Sequence, residues 1–270
     1  MDLFKAIIIA IVEGLTEYLP VSSTAHMIFT SSIFGIQEDD YVKMYQVSIQ
    51  FGAILAVVYL YWKKFFDFSN LKFYLKLAIA IIPAMVLGYL LDEKIEAALG
   101  DPVPIAIVLI IGGIFLLFID KIFTKHTIDD EKEVSFKKAF IIGIYQCLAM
   151  MPGVSRSAAS IIGGMQQQLT RKAAAEFSFF LAVPTMLAVC VYSVFVKTWD
   201  QNGAPQKGYE LLMQGDNFMY FVVGSIVAFV VAVIAIKFFI GVLTKYGFKP
   251  WGWYRIIVGI ILLIYFTQFQ

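Results

Sequence analysis

Along this chain, apolar residues run in long stretches separated by short polar segments. Stretches near the roughly 20 residues that a helix needs to cross a bilayer fall at about 41–62, 72–91, 103–123, 173–197, 218–243 and 250–268, which predicts six transmembrane helices. Two further segments are apolar at their ends and polar in the middle. The first, about 1–34, is interrupted near Leu19–Ser23, and the second, about 136–169, around Pro152–Arg156. Proline and serine there stop a helix before it can span, so each segment is predicted to enter the membrane, turn and return to the same side. Such broken backbone is tolerated at depth only where protein or a water-filled cavity satisfies it.

The two halves repeat one plan. "IVEGLTEYLPVSS" near the start and "IYQCLAMMPGVSRS" near the middle share an apolar entry, a polar residue (Glu13 or Gln146), a leucine, a proline and a V-S. "QFGAILAV" from Gln50 then matches "EFSFFLAV" from Glu176, and "IIGGIFLL" from Ile110 matches "IIVGIILL" from Ile256, in the same order. Repeats of this kind build many membrane proteins. One hairpin plus an odd number of crossings per half makes the halves inverted. The expected fold is therefore all-α: a single polytopic membrane domain over 1–270, with a first repeat at 1–123 and a second at 136–270, each a re-entrant helical hairpin followed by three transmembrane helices.

Composition agrees: 60% of the residues are hydrophobic and 15% charged, against about half and a quarter in soluble domains. The start, "MDLFKAIIIAIVEGL", lacks a small-residue cleavage site and is read as mature protein. A net charge of +1 without a basic patch interleaved with aromatics gives no reason to expect nucleic acid. Cys147 and Cys190 lie in apolar surroundings without CxxC spacing and are expected to pack. Arg156 aside, five basic residues (Lys5, Lys43, Lys94, Lys197 and Lys207) fall on one side of the expected topology and the other fifteen, Lys63 through Arg255, on the opposite side. The positive-inside rule makes the second side cytoplasmic. The first hairpin then opens outward, and the loops 35–40, 92–102 and 198–217 lie outside.

The chemistry concentrates in the two interrupted segments. Glu13 and Glu17, four apart, share a helix face in apolar surroundings, where a charge costs about 2.5–3.5 kcal/mol on insertion scales. They call for a divalent metal, which carboxylate oxygens bind readily, or form a proton-sharing pair. Beyond Pro20 follow Ser22, Ser23, Thr24 and His26, one of only two histidines; His126 sits in the charged loop "KHTIDDEKE" and is expected to be solvated. The second hairpin offers Ser155, Ser157, Ser160 and Arg156, the one charge between Ala139 and Thr170. A helix starting near Ser155 or Ser157 would add free N–H groups and its dipole to a guanidinium fork suited to phosphate; Arg156 could equally neutralise Glu13 or Glu17. Phosphate donors, carboxylates and histidine together make a phosphoryl-transfer site whose substrate, inside a membrane, is a phosphate-bearing lipid. Spacing leaves the nucleophile open among Ser23, His26 and water, with Ser23 attacking and His26 as its base favoured. Elsewhere Gln46 and Gln50 share a helix face, and Lys172 with Glu176 is expected to form an i,i+4 ion pair.

"EGLTE" followed by "LPVSSTAH", with "PGVSRSAAS" in the second half, resembles the undecaprenyl-diphosphate phosphatases of the bacitracin-resistance family, over the whole chain. The resemblance implies hydrolysis of undecaprenyl diphosphate to undecaprenyl phosphate and inorganic phosphate, recycling the lipid carrier for peptidoglycan and envelope polymers and conferring bacitracin resistance. It further implies a bacterial cytoplasmic (inner) membrane location with the site open to the outer side, a divalent cation (Mg2+ or Ca2+) held by Glu13 and Glu17, and a polyprenyl diphosphate lipid as partner among membrane lipids; a homodimer is compatible with it. The family's essential glutamates fall on Glu13 and Glu17, its serine on Ser23, its histidine on His26, and its phosphate-binding serine and arginine on Ser155 and Arg156, with Ser22, Thr24 and Ser157 beside them as substrate contacts. Ala25 and Ala158 stand where the family pattern has glycine, and Ser160 where it has threonine. The acid-phosphatase-like lipid phosphatases, which also use a Ser-Arg pair, need a histidine shortly after the arginine, and none follows Arg156. A transporter or flippase of polyprenyl phosphate lipids is the alternative, from the repeat and the buried charges.

Overall fold

A computed structural model of the chain describes residues 1–201 and 203–268. Its long helices, numbered along the chain, are α1 (Leu3–Thr16), α2 (Ser23–Ile33), α3 (Asp40–Leu60, interrupted at Ile49), α4 (Leu71–Leu99), α5 (Pro102–Ile122), α6 (Phe136–Gln146), α7 (Arg156–Gln166), α8 (Arg171–Val191), α9 (Asn217–Tyr246) and α10 (Lys249–Gln268). Six of them, α3, α4, α5, α8, α9 and α10, are long and apolar enough to cross a membrane, so the protein is all-α and multi-pass. Side chains such as Ile111, Ile234, Phe238 and Ile261 are exposed along these spans, as expected where the solvent is lipid. The polar segments fold as helix pairs, α1 with α2 and α6 with α7, whose first arms stop at Thr16 and Gln146.

Several packing pairs of the first half have counterparts in the second. Helix α1 packs on α9 as α6 packs on α4; α3 packs on α9 as α8 packs on α4; α3 with α8 and α5 with α10 pair across the halves. Each first arm seats closely on its partner through a glycine, Gly14 against Ala228 and Gly143 against Ala80, the small-residue contact that lets helices approach without a hydrophobic driving force. Around α8, Phe177, Phe179 and Phe180 are buried with Tyr18, Phe73 and Phe239, their rings largely edge-on.

Several expectations need correction. The segment 198–217 is not a plain loop: strand β1 (Thr198–Gln201) pairs antiparallel with β2 (Ala204–Lys207) and a short helix, Gly208–Leu212, follows. Trp199 anchors it, buried in a cluster with Leu211 and Tyr41 while its Nε1 donates to the Ser193 carbonyl at 2.9 Å. Lys172 and Glu176 form no close ion pair among the described residues; the Tyr61 hydroxyl is the hydrogen-bonding neighbour of Glu176, with Lys64 and Lys172 both near enough to act on its charge, and Lys64 itself pairs with Glu131 at 2.6 Å. Gln46 donates to the Met27 carbonyl at 3.4 Å, a helix-to-helix tie. Both cysteines are free thiols, and His126 is exposed with Nδ1 3.1 Å from the Leu169 carbonyl.

The main departure is Arg255. Counted from the sequence as a cytoplasmic surface charge, it is 1% exposed and among the largest fully buried side chains. Its guanidinium donates to four backbone carbonyls: Nε to Leu109 at 3.2 Å, Nη1 to Pro20 at 3.2 Å and Val154 at 2.9 Å, and Nη2 to Gly153 at 2.7 Å. Pro20 lies in the break of the first hairpin, and Gly153 and Val154 in that of the second. Carbonyls freed where a helix stops must find donors when no water reaches them, and one side chain supplies both breaks. It fits because α5 carries Gly112 at the crossing, where a Cβ would lie 2.2 Å from Arg255 Nη2. Each buried carbonyl left without a donor costs about 1–3 kcal/mol. Arg255→Met and Gly112→Ala should therefore both melt below wild type in detergent, Arg255→Met by the larger margin; a Gly112→Ala protein melting with wild type would show that the guanidinium has room to shift.

Candidate active site

The second arm of each hairpin begins the same way. Ser22 and Ser155, equally spaced from Glu13 and Gln146, are the N-caps of α2 and α7, and both hold positive φ, 70° and 79°. The Ser22 hydroxyl accepts from the Ala25 amide at 3.4 Å and the Ser155 hydroxyl from the Ala158 amide at 3.2 Å. Left-handed backbone is unfavourable for serine, and its recurrence at matching points indicates that the site needs these turns. The two helix starts lie side by side: Ser157 Oγ donates to the Tyr18 carbonyl at 2.8 Å, and Arg255 bridges Pro20 and Val154. Among the described residues no protein acceptor takes the backbone N–H of Ser23, Thr24, Arg156 or Ser157. Four amides at two helix N-termini are thus available to an anion. The hydroxyls of Ser22, Ser155 and Ser157, expected from the sequence to contact substrate, are spent on caps and a hairpin tie.

The charged groups meet at the same place. Glu17 is almost fully buried and accepts from two sides, from Arg156 Nη2 at 2.7 Å and from Ser23 Oγ at 2.5 Å. Arg156 Nη1 donates to the Ser178 carbonyl at 3.0 Å, Ser178 is linked to Ser160 at 2.6 Å between hydroxyls, and the guanidinium lies 5.6 Å from the Tyr18 ring centroid. Arg156 therefore does neutralise a glutamate across the two hairpins, which lowers the cost of burying either charge. Glu13 is wholly buried against the Glu17 carboxyl, within reach of a shared proton, and no donor from the other described residues reaches either of its oxygens.

His26 stands apart from Ser23. Its Nδ1 lies 2.8 Å from the Ser22 carbonyl and its Nε2 2.9 Å from the Tyr254 hydroxyl. The expected Ser23–His26 hydrogen bond is not formed among the described residues, because the Ser23 hydroxyl turns to Glu17 instead. Sequence reasoning missed Tyr254, Arg255 and Ser178. The first two sit in "WGWYR", which reads as an aromatic and basic interface marker, and Ser178 is a lone hydroxyl inside "EFSFFLAV".

Whether the site suits a metal turns on Glu13. A buried carboxylate that no other donor reaches, beside a second one, is the hard-oxygen donor set that Mg2+ or Ca2+ takes. No group of three or more His, Cys, Asp or Glu side chains suited to a metal occurs among the described residues, so the remaining ligands would be water and substrate oxygens, as Mg2+ commonly keeps. The residues fit such an ion, with Glu13 as the group that would hold it and Glu17 beside it.

A family model described as bacitracin resistance protein BacA matches residues 6–261. Among curated relatives, the undecaprenyl-diphosphatase of Flavobacterium psychrophilum is 52% identical over 98% of this chain and 96% of its own length. Those of Porphyromonas gingivalis and Bdellovibrio bacteriovorus are 47% and 44% identical, each over 98% of this chain and 96% of its own.

The paired serine turns make a separable prediction. Ser155→Ala loses the cap, worth about 1 kcal/mol, and keeps a strained φ, whereas Ser155→Gly loses the cap but gains a residue at ease there. In detergent melts the glycine variant should be the more stable by about 1 kcal/mol, and the same order should hold at Ser22; alanine variants as stable as glycine ones would contradict it.

Proposed function

The chain belongs to the bacitracin resistance protein BacA family, and from that membership together with the site we infer that it is an undecaprenyl-diphosphatase, which hydrolyses undecaprenyl diphosphate to undecaprenyl phosphate and inorganic phosphate and so recycles the lipid carrier of peptidoglycan and envelope polymers. The observation that supports this chemistry best is the convergence of Arg156 and two helix N-termini on a pair of buried carboxylates.

The roles follow from the contacts. Substrate phosphate, more highly charged than Glu17, draws Arg156 Nη2 onto its oxygens while Nη1 stays on Ser178, and the amides of Ser23, Thr24, Arg156 and Ser157 bind the charge that develops at phosphorus. Released from Arg156, Glu17 is a stronger acceptor for the proton it already receives from Ser23. Ser23 Oγ forms the bond to the terminal phosphorus, its proton passes to Glu17 Oε2, and the bond from phosphorus to the bridging oxygen breaks with its electrons leaving on undecaprenyl phosphate. Water then attacks the phosphoserine, its proton passing to His26 Nε2 through the Tyr254 hydroxyl that Nε2 meets, and Ser23 leaves by taking its proton back from Glu17. A divalent ion held by Glu13 and Glu17 would screen the diphosphate charge. This geometry favours Glu17, in place of His26, as the base for Ser23.

The site faces the outer side of a bacterial cytoplasmic membrane in this reading. Removing Arg255 from the basic residues leaves the charge imbalance almost unchanged, so the positive-inside assignment stands, and the first hairpin, with Glu13, Glu17 and His26, opens opposite the cytoplasm.

Purified protein given undecaprenyl diphosphate should release inorganic phosphate, and Glu13→Gln combined with Glu17→Gln should release none; a lipid flippase without hydrolase activity would release none in either form. Rapid quench should trap phosphate on Ser23, and an acid-labile phosphohistidine would transfer the nucleophile to His26. For orientation, Thr24→Cys in a Cys147→Ser, Cys190→Ser background should react with a membrane-impermeant thiol reagent in intact cells, and labelling confined to inverted vesicles would reverse the topology.

A further inference from the structure

His26 is held from both ends, and the two ends are chemically unequal. The Ser22 carbonyl can only accept, so Nδ1, 2.8 Å away, carries the proton and Nε2 carries the lone pair. The Tyr254 hydroxyl, 2.9 Å from Nε2, is therefore the donor. The two rings also stack, with centroids 5.7 Å apart and planes 12° from parallel. Tyr254 lies on α10, outside both hairpins, and the next residue is Arg255, whose guanidinium binds the carbonyls of both breaks. Successive residues on a helix point about 100° apart, so α10 delivers one side chain to the hairpin breaks and its neighbour to the histidine. A tyrosine at the end of an apolar span is ordinarily an interface anchor; this one is turned onto the imidazole.

We propose that Tyr254 is a proton-relay residue for the phosphatase reaction, fixing the tautomer of His26 and carrying the proton of the attacking water to Nε2, from a helix that is itself locked to both hairpins. The inference rests on the phosphatase reading above. A tyrosine hydroxyl both donates and accepts. It donates to Nε2 while the imidazole is neutral; as the attacking water gives its proton to the Tyr254 oxygen, the hydroxyl proton passes to Nε2, and that oxygen then accepts from Nε2–H, so the ring is held in both states of the cycle. Free imidazole can place its proton on either nitrogen. Here the carbonyl at one end and the hydroxyl at the other leave a single arrangement, in which Nε2 takes its proton through the Tyr254 hydroxyl.

Tyr254→Phe keeps the stacked ring and removes only the hydroxyl. In a phosphate-release assay with undecaprenyl diphosphate, kcat should fall about tenfold or more, within the range of a misplaced general base, while KM stays within about twofold. With the imidazole nitrogens labelled and His126→Gln removing the other histidine, the wild-type spectrum should show His26 protonated at Nδ1 with a hydrogen-bonded Nε2, and Tyr254→Phe should move the Nε2 resonance to that of a free unprotonated nitrogen. Tyr254→Leu, which also loses the ring, should be at least as slow as Tyr254→Phe. Wild-type kcat in Tyr254→Phe, an unmoved Nε2 resonance, or a loss confined to KM would each overturn the proposal while leaving the phosphatase reading intact. Failure of the wild-type protein to release phosphate would overturn the phosphatase reading and this role with it.

Discussion

A helix that stops inside a membrane leaves carbonyls with nowhere to turn, and in this protein Arg255 receives them. Its guanidinium meets Pro20 on one hairpin, Gly153 and Val154 on the other, and Leu109 on a third element, with no carboxylate among its hydrogen-bond partners in the described residues. A cation that takes only backbone dipoles is stabilised wherever the carbonyls are and nowhere else, so it binds the two breaks to each other as well as satisfying them. Without that link, each hairpin would need its own donors at depth, and the starts of α2 and α7 would be joined only by the Ser157–Tyr18 and Arg156–Glu17 contacts.

The chemistry is arranged around this clamp. Because the breaks are adjacent, Arg156 on one hairpin reaches Glu17 on the other, and Ser23 shares the same carboxylate. The resulting ion pair settles Glu17 but leaves Glu13 buried with, among the described residues, the Glu17 carboxyl alone in reach of its oxygens. A fold selected for stability alone would replace such a group with an apolar one, since an unsatisfied buried carboxylate costs more than the packing it displaces. Its presence beside Glu17, which Ser23 and Arg156 at the two helix starts both reach, marks the place where the protein expects a charged ligand to complete it.

How much of this could be read from the residues divides by range. The six spans were legible because hydropathy over about 20 residues is a local property, and the interruptions because Pro20, Pro152 and the flanking serines act within a turn of themselves. The correspondence of Ser22 with Ser155 was visible as a repeated V-S, although the left-handed turn it encodes was not. Arg255 was misread as a cytoplasmic surface charge and Tyr254 passed over because "WGWYR" has the composition of a membrane interface, and only the crossing of α10 with α5 at Gly112 shows that its arginine points inward. The partner of Ser23 was missed for a related reason. His26 is nearer in sequence on the same helix, yet its ring is already engaged by Ser22 and Tyr254, while Glu17 lies across the turn.

Ala25 and Ala158, which stand where the motif resembled in the sequence has glycine, acquire a meaning from their matching places behind the two serine caps. They occupy equivalent positions in α2 and α7, and each supplies the amide that its serine cap receives. Both are buried inside the first helical turn, where alanine favours helix over glycine by about 0.8–1.0 kcal/mol. The substitutions thus remove no group from the site. They stiffen both helix starts together, at the turns that aim the free amides of Ser23, Thr24, Arg156 and Ser157. In a site that works by holding donors still while charge moves to phosphorus, added rigidity at two matched turns serves the same end as the clamp behind them.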